Sequence, residues 1–92
     1  MPYKIEITDT YQKKLIKFLK RHRSITSKYA KVIRLLEVDP HHPSLRLHKL
    51  SGKLEMLHSV SIDMQYRITI ECIIEEKKII PINIGTHDEV YR

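Results

Sequence analysis

The hydrophobic pattern of the chain changes its period twice, and these changes limit the possible folds more than any other feature. Between residues 11 and 36, apolar side chains recur three or four positions apart, as on one side of an α-helix. Between residues 54 and 84 they alternate with other side chains, as on one face of a β-strand. A short alternating run over residues 3 to 7 precedes the helical part. The predicted order is therefore strand, two helices and three strands.

Local signals place the ends of the two helices. Asp9 is predicted to cap the first helix, with Gln12 completing a capping box. The second helix is expected to begin near Ser24, Thr26 or Ser27 and to end at the Asp39–Pro40 pair, since a residue before proline avoids helical geometry. Each helix carries one apolar stripe, so both are expected to rest on one face of the sheet.

The three later strands are predicted to form an antiparallel meander with turns at residues 63–65 and 75–78. In the last strand, Ile80, Ile82 and Ile84 are expected to point inward. The fold class is thus α+β: an N-terminal strand, a two-helix hairpin and a three-stranded antiparallel meander, with the helices on one face. Residues 1–92 are expected to form a single domain.

Composition narrows the classes of partner and compartment. A net charge of +6 on 92 residues indicates a polyanionic partner. No apolar run reaches the roughly 20 residues of a membrane span, and the charged start indicates no export signal. The single cysteine, Cys72, fits a reducing compartment, and its isoleucine-rich surroundings favour a core residue over a nucleophile. A cytoplasmic protein is therefore expected.

Polar side chains with possible chemistry gather in two places. The connection over residues 39–53 is rich in histidine and cations, and long connections within compact domains are usually functional. The sheet face away from the helices is predicted to carry Ser59, Ser61, Arg67, Thr69 and Asn83. Two interpretations of Arg67 stay open: an ion pair with Glu71, or a fork that binds phosphate oxygens.

A metal-free RNA cleavage site is one reading of these residues. If His48, Arg67, His87 and Tyr91 converge, the two histidines can transfer protons, the arginine can stabilise phosphate charge and the tyrosine can stack on a base. The histidine spacing frames no tetrahedral metal site, and the two glycines do not make a phosphate loop. Neither a metal nor a cofactor is predicted.

Three short segments, in this order and spacing, resemble the RelE/ParE superfamily of bacterial toxins, and within it the YafQ-like branch. They are Leu-His-Lys-Leu-Ser-Gly at residues 47–52, Tyr-Arg-Ile at 66–68 and Ile-Gly-Thr-His-Asp-Glu-Val-Tyr at 84–91. The resemblance implies a ribosome-dependent endoribonuclease that cuts mRNA and thereby inhibits translation. It also implies a cognate acidic antitoxin, and contact with operator DNA only through the toxin–antitoxin complex.

The resemblance also assigns roles to residues of this chain. It makes His87, His48 and Arg67 the expected catalytic residues, and it places the terminal aromatic at Tyr91. Where the family has a further histidine, in the strand after the loop, this chain has Ser61. The family's acidic residue before a strand aromatic falls on Gln65, and its last-strand arginine falls on Asn83. The expected substrate-binding residues are Tyr91, Lys49, Lys53, Arg46, Ser61 and Asn83.

Two alternatives to the nuclease remain at this point. One is a ParE-like inhibitor of DNA gyrase, although such chains typically lack the histidine at position 87. The other is a toxin fold whose altered positions leave only binding of antitoxin or nucleic acid. In each case the antitoxin is expected to meet basic faces, such as the one formed by Lys13, Lys17, Lys20 and Arg21.

Overall fold

The chain folds in the predicted order, with two helices on one face of a mixed β-sheet. The structure is a computed structural model and describes residues 2–50, 57–73 and 75–86. Two 3₁₀ turns, Arg23–Ile25 and Pro43–Leu45, accompany the regular elements. Those elements are β1 (Lys4–Ile5), α1 (Asp9–Arg21), α2 (Thr26–Val38), β2 (His48–Lys49), β3 (Leu57–Ser61), β4 (Tyr66–Ile73) and β5 (Lys78–Thr86).

The sheet has five strands in the order β1-β5-β4-β3-β2. Strands β3, β4 and β5 form the predicted antiparallel meander, and β1 adds to β5 in parallel. The α+β fold class is therefore confirmed. Strand β2 is an addition, because the connection predicted as a loop pairs with the edge of β3 through His48 and Lys49.

The core lies between the helices and the isoleucine-rich face of the sheet. Cys72 packs against this core, and burial raises the pKa of its thiol, which agrees with a structural role. Leu45, from the connection before β2, is a buried member of this core. The buried members contributed by the helices and strands are Tyr11, Ile25, Tyr29, Val32, Leu36, Val60, Ile68, Ile70, Ile79 and Ile84.

The helix ends differ in detail from the prediction. Thr8, not Asp9, caps α1, because its side-chain oxygen accepts a hydrogen bond from the Tyr11 amide at 3.1 Å. Asp9 lies in the first turn, where its charge favours the helix dipole. Helix α2 continues from a 3₁₀ turn, with Ile25 at its N-cap and no side-chain cap, and it ends before Asp39 as predicted. Within the described ranges, no helix is both long and apolar enough to cross a membrane.

A β-bulge in β5 reverses the predicted orientation of its first half. Residues 69 and 70 of β4 pair with Asn83 and Pro81, so Ile82 has no residue opposite it. Proline cannot donate a ladder hydrogen bond and is usually found at such irregular positions. Before the bulge the buried residues are Ile79 and Pro81. The predicted inward orientation of Ile80 and Ile82 is therefore wrong, whereas that of Ile84 is confirmed.

A buried pair of hydroxyl groups connects the two helices. The hydroxyl oxygens of Tyr11 and Tyr29 are 2.9 Å apart, and these residues are only 1% and 9% exposed. Burial raises the pKa of both phenols, so both stay neutral. Each hydroxyl therefore depends on the other for its hydrogen bond within the described core.

Removing one hydroxyl should cost more than removing both. Tyr11→Phe leaves the Tyr29 hydroxyl buried without this partner, and we expect a loss of about 1–3 kcal/mol in the free energy of unfolding. The Tyr11→Phe/Tyr29→Phe double variant should recover part of that loss, because no polar atom is then left unpaired. Urea denaturation of the two single variants and the double variant measures this coupling, and strictly additive losses would contradict it.

Candidate functional site

The connection between α2 and β2 is held by local hydrogen bonds of its turn residues. The Asp39 carboxylate accepts from the His41 amide at 3.0 Å, and His42 Nδ1 accepts from the Ser44 amide at 3.2 Å. Leu45 anchors the segment in the core, with 1% of its surface exposed. The connection therefore holds the backbone that follows it, including Arg46, in a defined position.

Arg46 directs a backbone carbonyl toward the centre of the site. Its backbone is left-handed, with φ 49° and ψ 47°, which costs a non-glycine residue roughly 1 kcal/mol. The Arg46 carbonyl accepts a hydrogen bond from Arg67 Nη2 at 3.2 Å. A charge-assisted hydrogen bond of this kind helps to offset the backbone cost.

Arg67 lies at the centre of the site, on the face of β4 away from the helices. Its Nε donates to the hydroxyl of Ser59 at 2.6 Å, and Ser59 is fully buried on the neighbouring strand β3. Its Nη2 also lies 3.3 Å from Nδ1 of His48 on β2. In the described part of the chain Arg67 makes no ion pair with Glu71, so that interpretation of Arg67 is not supported.

Nδ1 of His48 has two neighbours that require opposite hydrogen-bond roles of it. A guanidinium group can only donate, so Nδ1 is the acceptor in the contact with Arg67. The same Nδ1 lies 3.4 Å from the Arg46 carbonyl, which can only accept. With a proton on Nδ1, the imidazole would therefore donate to the Arg46 carbonyl and lose its contact with Arg67. The imidazole has a defined partner in either state, and it lies on the exposed surface beside a permanent cation.

Two of the expected substrate-binding residues lie next to this cluster. Ser61 pairs with Arg67 across the ladder between β3 and β4, and its hydroxyl donates to the Asp63 carbonyl at 2.7 Å. Arg46 and Ser61 line the same depression, which has a volume of about 230 Å³. The structure thus brings four of the predicted residues together, namely Arg46, His48, Ser61 and Arg67.

Two other predicted residues, Lys49 and Asn83, lie outside this cluster. Lys49 follows His48 in β2 and pairs with His58, so strand alternation turns its side chain from the face of His48. Asn83 pairs with Thr69 on β4 and borders a separate cleft beside α1. His87, Tyr91 and Lys53 lie outside the described residues.

Sequence reasoning missed three features of this region. Strand alternation placed Ser59 on the correct face, but nothing in the sequence indicates that it accepts from Arg67. The role of the Arg46 carbonyl depends on a left-handed backbone that the sequence does not mark. The third feature is an aromatic cluster of Phe18, His22 and Tyr66, in which the Tyr66 hydroxyl lies 3.2 Å from Nδ1 of His22.

Comparison with known proteins gives matches in structure alone. No protein-family model matches the chain. No curated protein matches its sequence. Among solved structures, YafQ in the DinJ–YafQ toxin–antitoxin complex of E. coli superposes with a TM-score of 0.78 at 16% identity, covering 100% of both chains. The fold is RelE-like. This confirms the fold that the resemblance implied.

Two further structures share this RelE-like fold. A toxin of the RelBE2 toxin–antitoxin complex from Mycobacterium tuberculosis matches with a TM-score of 0.71 at 18% identity, over 95% of this chain and 100% of that one. A metal-bound toxin from Helicobacter pylori matches with a TM-score of 0.76 at 21% identity, over 98% and 99%. Among the described residues of this chain, no group of three or more metal-ligating side chains could hold a metal ion.

His58 lies beside the site on the helix side of β3. It pairs with Lys49 and Ile70, and its Nδ1 is buried with no hydrogen-bond partner within the described residues. Burial lowers the pKa of His58, and electrostatic interaction with Lys49, His41 and His48 lowers it further. His58 is therefore held neutral at the junction of β2 with β3.

This burial predicts a specific dependence of stability on pH. Because the folded pKa of His58 lies below the unfolded value of 6.5, the unfolded chain binds a proton first as the pH falls. The free energy of unfolding should therefore decrease from about pH 6.5 downward, with no contribution from His58 above that range. His58→Gln should flatten this slope in urea denaturation relative to the unmodified protein. An unchanged slope in His58→Gln would contradict the assignment.

Proposed function

We propose that this protein is the toxin of a toxin–antitoxin pair and a ribosome-dependent endoribonuclease that cuts mRNA without a metal ion. The contact between Arg67 and His48 carries the proposal, because it joins a phosphate-binding fork to a proton-transferring imidazole on a RelE-like fold. The predicted partner in proton transfer is His87. Since ribosomes and mRNA are its targets, the protein is proposed to act in the cytoplasm.

The proposed chemistry uses the ribose 2′-hydroxyl as the nucleophile. One histidine accepts the hydroxyl proton while the oxygen bonds to the adjacent phosphorus, and the bond from phosphorus to the 5′-oxygen breaks. The other histidine donates a proton to that leaving oxygen, and a cyclic phosphate remains. Arg67 stabilises the negative charge that builds on the phosphate oxygens, where a fixed cation contributes most.

The internal contacts of Arg67 suit this role because they orient its guanidinium group. Within the described residues these contacts use Nε and Nη2, which leaves the Nη1 donors to face a phosphate. Ser59 and the Arg46 carbonyl hold the group in place before substrate binds, so little side-chain freedom is lost on binding.

The proposed protein partner is a cognate acidic antitoxin. YafQ and RelBE2 are seen in toxin–antitoxin complexes, and this chain shares their fold. The net charge of +6 is complementary to an acidic segment. Contact with operator DNA is proposed only for the complex of toxin and antitoxin.

One observation favours a second candidate, in which the fold binds antitoxin or nucleic acid without cutting. The Ser61 hydroxyl donates to Asp63, and the Asn83 side chain accepts from the Ile84 amide at 2.9 Å. Two expected substrate-binding groups are therefore engaged within the chain. In this candidate the cation cluster holds a ligand, but proton transfer is too slow for cleavage.

Cleavage of a reporter mRNA in a cell-free translation system separates the two candidates. With ribosomes present, the unmodified protein should cut within codons, and without ribosomes the mRNA should stay intact. Arg67→Lys, His48→Gln and His87→Ala should each lower the cleavage rate by about a hundredfold or more, because each removes a charge-stabilising or proton-transferring group. Arg67→Lys is informative because it keeps the charge but loses the planar fork.

The matched control is Glu71→Gln, which changes one charge on the same strand outside the Arg67 contacts. It should cleave at nearly the rate of the unmodified protein. Intact mRNA and normal translation with the unmodified protein would contradict the nuclease proposal. Inhibition of DNA gyrase would then be measured as the remaining toxin activity.

A further inference from the structure

A second concave surface lies on the other side of β5, between this strand and α1. The cleft has a volume of about 360 Å³ and is lined by Lys14, Lys17, Phe18, Arg21, His22, Asn83 and Ile84. It forms where β5 extends beyond β1, which pairs only with Lys78 and Ile79. Its size lies in the range of small-ligand sites, about 300–1,000 Å³.

The cleft concentrates positive charge. Lys14, Lys17 and Arg21 follow each other three or four positions apart, so they lie on one side of α1, one turn above another. In the described part of the chain none of the three forms an ion pair, and no acidic side chain lines the cleft. Three cations around one concavity repel each other, and a bound anion would relieve that repulsion.

Aromatic rings form the wall of the same cleft. Phe18 and His22 line it, with ring centres 4.6 Å apart. Tyr66 supports both rings from β4, at 5.2 Å from Phe18 and 4.8 Å from His22. The hydrogen bond between the Tyr66 hydroxyl and His22 Nδ1 further fixes the orientation of the imidazole. The cleft thus combines held ring surfaces with several cations.

We propose that this cleft binds one nucleotide of a single-stranded RNA, with its phosphate on Lys17 and Arg21 and its base against the rings of Phe18 and His22. Cations beside aromatic surfaces are the combination that single-stranded nucleic acids use, through phosphate contacts and base stacking. An acidic peptide would use the cations but has no need of the rings, so the lining favours RNA.

Asn83 connects this cleft with the proposed cleavage site. It pairs with Thr69, which follows Arg67 by two residues on β4, and it also borders the cleft. An RNA strand held at Arg67 therefore has a short route around β5 to the rings. The inference rests on the proposed function only in taking the bound RNA to be the one that is cut, and its test measures binding alone.

The test is fluorescence anisotropy with a short, labelled 2′-O-methyl RNA, which has no free 2′-hydroxyl and cannot be cleaved. Lys17→Gln/Arg21→Gln should weaken binding roughly tenfold or more and reduce the dependence of affinity on salt, because phosphate contacts are lost. The control, Lys13→Gln/Lys20→Gln, removes the same charge from the same helix outside the cleft and should change affinity much less. Equal losses in the two double variants would overturn the proposal.

Ring contact is measured separately by NMR. Adenosine monophosphate should shift the ring resonances of Phe18 and His22 in the unmodified protein, whereas inorganic phosphate should shift mainly the neighbouring amides. A tetraglutamate peptide that binds the cleft more tightly than the RNA would overturn the proposal and identify an acidic-peptide surface. If the RNA binds as expected but no mRNA is cut, the proposed nuclease function fails while the cleft assignment stands.

Discussion

The burial of one sheet face under two helices is the constraint on which the rest of the structure depends. It forces alternate residues of each strand into the core and leaves the intervening residues on the other face. Strand β4 shows both consequences, because Tyr66 and Ile68 pack on the helix side and Arg67 emerges on the other. The cation that we place on the phosphate is therefore positioned by the same packing that stabilises the domain.

Periodicity predicted most of the fold because burial acts on long runs of residues. It could not predict features that depend on one or two residues. The choice of Thr8 over Asp9 as helix cap is a matter of local geometry between two suitable side chains. Proline is usually found at irregular strand positions, but the bulge at Ile82 became visible only through the pairing of β5 with β4. Strand β2 has two residues, too few for any period.

In the candidate site, too, the sequence indicated which residues to consider but not the contacts that they make. His48 and Arg67 were candidates for one site on the condition that they converge, because the sequence shows a histidine-rich connection and an outward strand position for the arginine. The sequence could not predict which groups His48 contacts, because this depends on how far the Arg67 side chain reaches and on the carbonyl of Arg46. The cleft beside α1 was also missed. Its cations were expected on a basic helix face, but their proximity to aromatic rings depends on how α1 packs against β4 and β5.

The two outermost strands of the sheet bear on the solubility of the folded protein. Strands β1 and β2 are each two residues long, and each carries a lysine, Lys4 or Lys49. Short, lysine-bearing edges offer little backbone for another chain to extend. Strands β4 and β5 are long and isoleucine-rich, a composition that favours aggregation when it is exposed. The sheet keeps β4 between β3 and β5 along its length, so association with another chain through β4 requires one of these two neighbours to detach first.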